Sequence, residues 1–124
     1  PRPNARCRPR YFGIRWPRPA LYERIDRRWE KMLRSGPVEE VKGIMKMGYR
    51  PGSIALRTIG YRELIEHLTG RITLAEAGAR AKKNTRNFAK RQMTWFGRMP
   101  GIAWLDGERP AEELVREIIA AQSR

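Results

Sequence analysis

Cysteine and histidine are nearly absent from this sequence of 124 residues, which contains only Cys7 and His67. A single cysteine excludes an internal disulfide and a cysteine-based metal site, and low cysteine usage is typical of a reducing, cytoplasmic compartment. His67 has no partner at catalytic or metal-ligating spacing, so we predict a structural role for it.

Long hydrophobic runs are missing as well. No stretch approaches the roughly 20 apolar residues that are needed to cross a bilayer, and no signal-peptide pattern is present. Apolar residues nevertheless make up 40% of the sequence, which is enough for a modest core. The length predicts one domain, or part of one.

Acidic residues are scarce: 13 Asp and Glu stand against 27 Lys and Arg, which gives a net charge of +14. This excess indicates nucleic acid, an anionic membrane or an acidic protein as partner, and the membrane is the weakest of the three. The imbalance is greatest between Glu76 and Asp106, where no acid occurs. The cations of this interval are Arg80, Lys82, Lys83, Arg86, Lys90, Arg91 and Arg98.

The same interval carries the pattern of a long helix over 73–97. Thr73 and Glu76 have the spacing of a capping box at its start, and apolar residues then recur at three- and four-residue steps. Trp95 and Phe96 fall on this apolar stripe, which predicts that they are core residues. The opposite face is positive without acidic partners, which suits an RNA backbone; a merely solvated run of charges is the alternative.

The rest of the pattern predicts a mostly α-helical chain with about five helices and two short strands, at 11–16 and 102–105. Residues 1–10 are predicted to be a linker or loop. The first strand needs a partner, which must be either a later segment or a sheet outside this chain. Residues predicted to face the core include Met45, Met47, Leu114, Val115, Ile118 and Ile119.

Two features outside the long helix suggest anion binding. Arg24 and Arg28 share a helix face and have no acid four residues away, unlike the Glu23–Arg27 and Glu30–Arg34 pairs. Two such arginines can grip a phosphate, although ordinary surface arginines would look the same. The segment 57–62, RTIGYR, places a glycine and an aromatic residue between arginines. It allows close backbone approach and base stacking, but a helix junction also needs a glycine.

IGYRE at 59–63 and TRxxAKRQxTWF at 85–96 resemble the tRNA dimethylallyltransferases, and PRxxLYERI at 17–25 and GPVEEV at 36–41 fit the same family. The resemblance covers 11–124. It implies an enzyme that transfers a dimethylallyl group from its diphosphate to N6 of the adenine 3′ of the anticodon. It also implies an α/β fold with a P-loop NTPase-like core, of which this chain is the C-terminal part, without the phosphate-loop portion and without the aspartate that acts as base.

The resemblance further implies Mg²⁺ as cofactor, with ligands outside this chain, the tRNA anticodon arm and dimethylallyl diphosphate as partners, and a monomeric enzyme. Diphosphate binding is expected at Arg28 and Arg24. The residues expected to bind tRNA are Arg57, Thr58, Ile59, Gly60, Tyr61, Arg62, Lys83, Asn84, Thr85, Arg86, Asn87, Phe88, Lys90, Arg91 and Gln92. A non-catalytic basic RNA-binding module and a ribosome-associated structural protein are the alternatives.

Overall fold

The computed structural model describes residues 8–123, so the predicted linker at 1–10 lies mostly outside the described residues. Its elements agree with the predicted ones to within a residue or two. In chain order they are β1 (Tyr11–Arg15), α1 (Arg18–Arg34), α2 (Pro37–Lys46), a 3-10 turn (Ile54–Arg57), α3 (Tyr61–Leu68), α4 (Leu74–Gly97), β2 (Ile102–Asp106) and α5 (Ala111–Gln122).

The two strands form a parallel pair, in which Tyr11 lies opposite Ile102 and Arg15 opposite Asp106. A later segment therefore provides the partner that the first strand needs. Four of the helices lie in the connection between the strands, as a parallel crossover requires. Gly13 permits the pairing with Trp104, because a Cβ atom at this position would come within 2.6 Å of two atoms of the indole ring.

The core lies where α2, the 3-10 turn and α3 meet. Val41, Leu56, Leu64 and Ile65 form its buried cluster. Helix α4 packs against both α1 and α3, and it does so through small residues in its first half, Ala77, Gly78 and Ala81, all of which are buried. Small side chains allow the neighbouring helices to approach closely, so the first half of α4 is the anchored half.

The second half of α4 corrects one expectation. Trp95 is 64% exposed, and Phe96 and Phe88 are also exposed. The prediction that Trp95 and Phe96 are core residues is therefore wrong, since no part of residues 8–123 buries them. The physical reason is length: α4 has 24 residues, more than either helix that packs on it, since α1 has 17 and α3 has 8. Periodicity identifies an apolar face but not where its covering partner ends.

Two further core predictions fail in the same way. Only Leu114 of α5 is buried, Ile118 is half-buried, and Val115 and Ile119 are exposed. Met47 follows the last residue of α2 and is 76% exposed, whereas Met45 packs against the core. Val115 and Ile119 lie on the apolar side of α5 and Met47 lies just past the end of α2, but no neighbour among the described residues covers these side chains.

Candidate RNA-binding groove

A groove of about 780 Å³ lies between α1, the junction of the 3-10 turn with α3, and α4. Four arginines from these three segments line it: Arg28, Arg57, Arg62 and Arg91. No aspartate or glutamate of the described residues is among its lining residues. The groove thus concentrates positive charge, with a floor that includes apolar residues of α1, and this combination suits phosphates next to flat bases.

The structure brings about half of the predicted tRNA-binding residues together here. Those that line the groove are Arg57, Thr58, Ile59, Arg62, Thr85, Phe88, Arg91 and Gln92. Asn87 and Lys90 instead line a shallower depression along α4, together with Trp95 and Arg98. Gly60, Tyr61, Lys83, Asn84 and Arg86 line neither surface.

The two arginines predicted to bind diphosphate are separated. Arg28 lines the groove, and it forms no salt bridge within residues 8–123. Arg24 does not line the groove; its guanidinium lies 4.2 Å from the centre of the Trp16 ring, where cation–π attraction holds it. Arg28 is therefore the arginine of this pair whose charge is available inside the groove.

The positive face of α4 is partly compensated, which corrects the expectation of a face without acidic partners. Three of its cations form salt bridges with acids of other helices: Arg86 with Asp26, Lys82 with Glu30, and Arg80 with Glu66. Arg86 Nη1 donates to both Asp26 carboxylate oxygens, at 2.9 and 3.0 Å. Glu30 thus pairs with Lys82 rather than with Arg34, the partner that spacing predicted.

The Thr85 hydroxyl already forms two hydrogen bonds within the protein. It donates to the Ala81 carbonyl at 2.7 Å and accepts from the indole N–H of the buried Trp29 at 2.8 Å. A hydroxyl has one hydrogen to donate, so Thr85 has none left for a base. Its bond to Trp29 instead fixes α1 against α4 on the floor of the groove.

We expect Thr85→Val to lower the free energy of unfolding by about 1–3 kcal/mol, because it leaves the Trp29 N–H without an acceptor. Thr94→Val is the matched control: the Thr94 hydroxyl also donates to the carbonyl four residues earlier, at Lys90, but it is exposed and holds no indole. Urea unfolding of both variants measures the difference. Equal losses would show that the Trp29 bond contributes nothing.

Glu63 is a residue of the site that sequence reasoning missed. It is 2% exposed, and its carboxylate accepts from Gly60 N–H at 2.6 Å, from Arg62 Nε at 2.8 Å and from Asn84 Nδ2 at 2.8 Å. The available signal was a glutamate three residues after Gly60, the position from which a glutamate accepts the backbone N–H of the residue before a helix. Asn84, predicted to bind tRNA, donates its side-chain amide to this carboxylate.

The pKa of Glu63 is lowered from its ordinary value. Burial alone acts in the raising direction, but the bonds from Arg62, from the Gly60 N–H and from Asn84 outweigh it. Because the folded-state pKa is depressed, the stabilisation is present above the ordinary carboxyl pKa and is lost as the pH falls through the folded-state value. The site therefore keeps an ionised Glu63 at neutral pH.

The described residues offer no metal site: no group of three or more His, Cys, Asp or Glu in 8–123 is placed to hold a metal ion. None of the helices described for this chain combines the length and apolar character needed to cross a membrane.

Comparison with known proteins identifies a consistent set of relatives. A family described as IPP transferase matches residues 1–99. The chain is 44% identical over 110 residues to a tRNA dimethylallyltransferase of Carboxydothermus hydrogenoformans, which covers 88% of the chain and 35% of the relative. It is 52% identical over 95 residues to tRNA dimethylallyltransferase 1 of Citrifermentans bemidjiense, which covers 77% of the chain and 31% of the relative.

Two solved structures that resemble this chain have the same kind of name as these relatives. The crystal structure of a tRNA isopentenylpyrophosphate transferase of Bacillus halodurans superimposes with a TM-score of 0.85 at 33% identity, covering 92% of this chain and 38% of that one. The Staphylococcus epidermidis enzyme gives a TM-score of 0.82 at 34% identity, covering 90% and 36%. The chain therefore spans about a third of the length of the relatives that it matches.

Proposed function

Since this chain belongs to the IPP transferase family, we propose that it supplies the tRNA-binding helices and part of the diphosphate site of a tRNA dimethylallyltransferase. The observation that carries this proposal is the groove, in which arginines of α1, the 3-10 turn, α3 and α4 converge and no acid of residues 8–123 is among the lining residues. Such an enzyme would act on the anticodon arm in the cytoplasm as a monomer.

The proposed reaction moves a dimethylallyl group from its diphosphate to N6 of the adenine 3′ of the anticodon. The C1–O bond to diphosphate breaks, the C1–N6 bond forms, and N6 gives up a proton. Arg28 would stabilise the negative charge that develops on the departing diphosphate. The base that takes the proton would come from another segment, because no carboxylate of residues 8–123 lines the groove. Any Mg²⁺ that takes part also needs ligands from outside residues 8–123.

Arg57, Arg62 and Arg91 would hold the RNA. Their guanidiniums suit the phosphates that flank a displaced nucleotide, and the target adenine must leave the stack of the anticodon loop to reach the donor. Phe88 is exposed at the same groove, with the Arg91 guanidinium 5.9 Å from its ring centre. This pair offers a flat surface and a charge to an unstacked base.

The test uses the chain of 124 residues. We expect it to bind an anticodon stem-loop, with log affinity falling by about 0.7–0.9 per log unit of salt for each phosphate contact. We expect no transfer from labelled dimethylallyl diphosphate, because the groove lacks a base and a loop that could orient the donor. A heat-denatured sample sets the background.

The outcomes separate the alternatives. Transfer above background would place the complete active site within these 124 residues. Absence of binding would contradict the proposed tRNA-binding role. Equal affinity for unrelated RNAs would favour the non-catalytic RNA-binding module.

A further inference from the structure

Two arginines of the groove are held by one nitrogen each. Arg57 Nε donates to the Gly52 carbonyl at 2.9 Å, and Arg62 Nε donates to Glu63 Oε1 at 2.8 Å. Within residues 8–123, the terminal Nη groups of both side chains make no hydrogen bond or salt bridge. Each guanidinium is thus tethered by its inner nitrogen, while its outer fork, which can bind a phosphate through two bonds, is unused.

Capping alone does not explain the carboxylate that tethers Arg62. Glu63 Oε2 accepts the Gly60 N–H, as the third helical residue of a capping box does. Glutamine serves equally well in that role, and it avoids the cost of burying a charge. The other oxygen, Oε1, accepts from Arg62 and from Asn84. This second set of bonds is what the negative charge strengthens.

Asn84 connects these bonds to a second helix. Asn84 belongs to α4, whereas Glu63 and Arg62 belong to α3. Its amide therefore fixes the carboxylate relative to the long helix, and the carboxylate in turn fixes Arg62. The orientation of Arg62 follows from two helices rather than from its own rotamer preferences.

We propose that Glu63 is a positioning residue for Arg62, and that its buried carboxylate aims the free Arg62 fork at an RNA phosphate in the groove. This inference rests on the proposed function, because it requires the groove to bind RNA. Glu63 itself touches no RNA in this arrangement. Glu63 restricts the Arg62 side chain before RNA binds. Less conformational entropy is therefore lost on binding.

Glu63→Gln in the chain of 124 residues tests the proposal with an anticodon stem-loop. We expect about tenfold weaker binding, since a neutral amide holds the guanidinium less firmly. The salt slope is expected to fall by about 0.7–0.9, which corresponds to one lost phosphate contact.

Glu66→Gln is the matched control on the same helix. Glu66 pairs with Arg80 at the surface, and its replacement changes the net charge by the same amount. General attraction for RNA should increase in both variants, so we expect unchanged or tighter binding for Glu66→Gln. If Glu63→Gln weakens RNA binding and Glu66→Gln does not, the loss comes from the orientation of Arg62 and not from the change in net charge.

A double-mutant cycle completes the test. Glu63→Gln should cost no further affinity in a chain that already carries Arg62→Ala, because there is then no fork to aim. Additive losses, or unchanged affinity of Glu63→Gln, would overturn the inference alone. Absence of binding by the unaltered chain would overturn the proposed function and this inference together.

Arg62→Lys keeps the experiment decisive if Glu63→Gln fails to fold. Lysine retains the charge but has no planar fork, and its single nitrogen cannot face both Glu63 and a phosphate in the same way. We expect Arg62→Lys to lose about as much affinity as Arg62→Ala. Retention of most of the affinity would overturn the proposal, because a point charge would then suffice.

Discussion

Gly60→Ala is expected to lower the free energy of unfolding by about 2–5 kcal/mol, the sum of a left-handed backbone penalty and an overpacked core. Gly60 has φ of +100°, and a Cβ atom there would lie 2.3 Å from Cη2 of Trp29. Trp29 is buried and tied to Thr85, so it has little room to retreat. Urea unfolding followed by far-UV circular dichroism measures the loss.

Two further variants separate the causes. Gly48→Ala is a control with φ of +89° but no atom within 4 Å of the added Cβ, so it should show the backbone penalty alone, about 1–2 kcal/mol. Trp29→Phe removes the outer ring atoms that the new methyl group would meet. In that background we expect Gly60→Ala to cost little more than Gly48→Ala. Equal costs for Gly60→Ala and Gly48→Ala in the unaltered chain would exclude the clash.

Gly60 also shows what the sequence could reveal about this site. The interpretation of RTIGYR was that its glycine lets RNA approach the backbone closely, or that a helix junction requires it, and in the structure Gly60 immediately precedes α3 and is approached by another residue of the chain. The group that approaches is Trp29, from a helix more than two dozen residues earlier in the chain. Local chemistry identified the need for a glycine but not the neighbour that imposes it, because that neighbour is set by how α1 packs on α3 and α4.

The elements themselves were predictable for local reasons. The capping box of α4 forms as its spacing predicted, since Thr73 accepts from Glu76 N–H at 3.1 Å and Glu76 accepts from Thr73 N–H at 3.3 Å. Helix bounds followed from such caps and from glycine and proline. These signals depend on residues within one turn of each other, so no tertiary information is needed.

Charge pairing was predictable only where it is local. The Glu23–Arg27 pair forms as its spacing predicted. The pairs of Arg86 with Asp26 and of Lys82 with Glu30 span 60 and 52 residues, and no sequence rule connects them. The face of α4 therefore looked more strongly positive in the sequence than it is in the fold. Of the groove arginines, Arg28, Arg57 and Arg91 form no salt bridge within residues 8–123, whereas Arg62 pairs with Glu63.

Arg28 is the groove arginine for which the largest functional effect is expected. It lies on α1, the helix that Trp29 fastens to α4 through Thr85, so its backbone is held firmly beside the groove floor. It has no salt-bridge partner among residues 8–123, so no ion pair must break before it binds an anion. An unpaired cation on a firmly held helix is well suited to stabilise a developing negative charge.

We expect Arg28→Ala, in a complete transferase that carries this segment, to lower the rate of prenyl transfer about a hundred- to thousandfold, or about 2.7–4 kcal/mol, while tRNA binding stays nearly intact. The separation arises because the proposed partner of Arg28 is the diphosphate rather than the RNA. Single-turnover transfer with saturating tRNA measures the rate, and stem-loop titration measures the affinity.

Arg27→Ala is the matched control, since Arg27 is the adjacent residue on α1, carries the same charge and pairs with Glu23 on the exposed surface. Its transfer rate should stay within about twofold, because an exposed pair of this kind contributes little. Normal transfer by Arg28→Ala would remove Arg28 from the donor site. A loss confined to tRNA affinity would instead assign Arg28 to the RNA and leave the diphosphate to cations outside this chain.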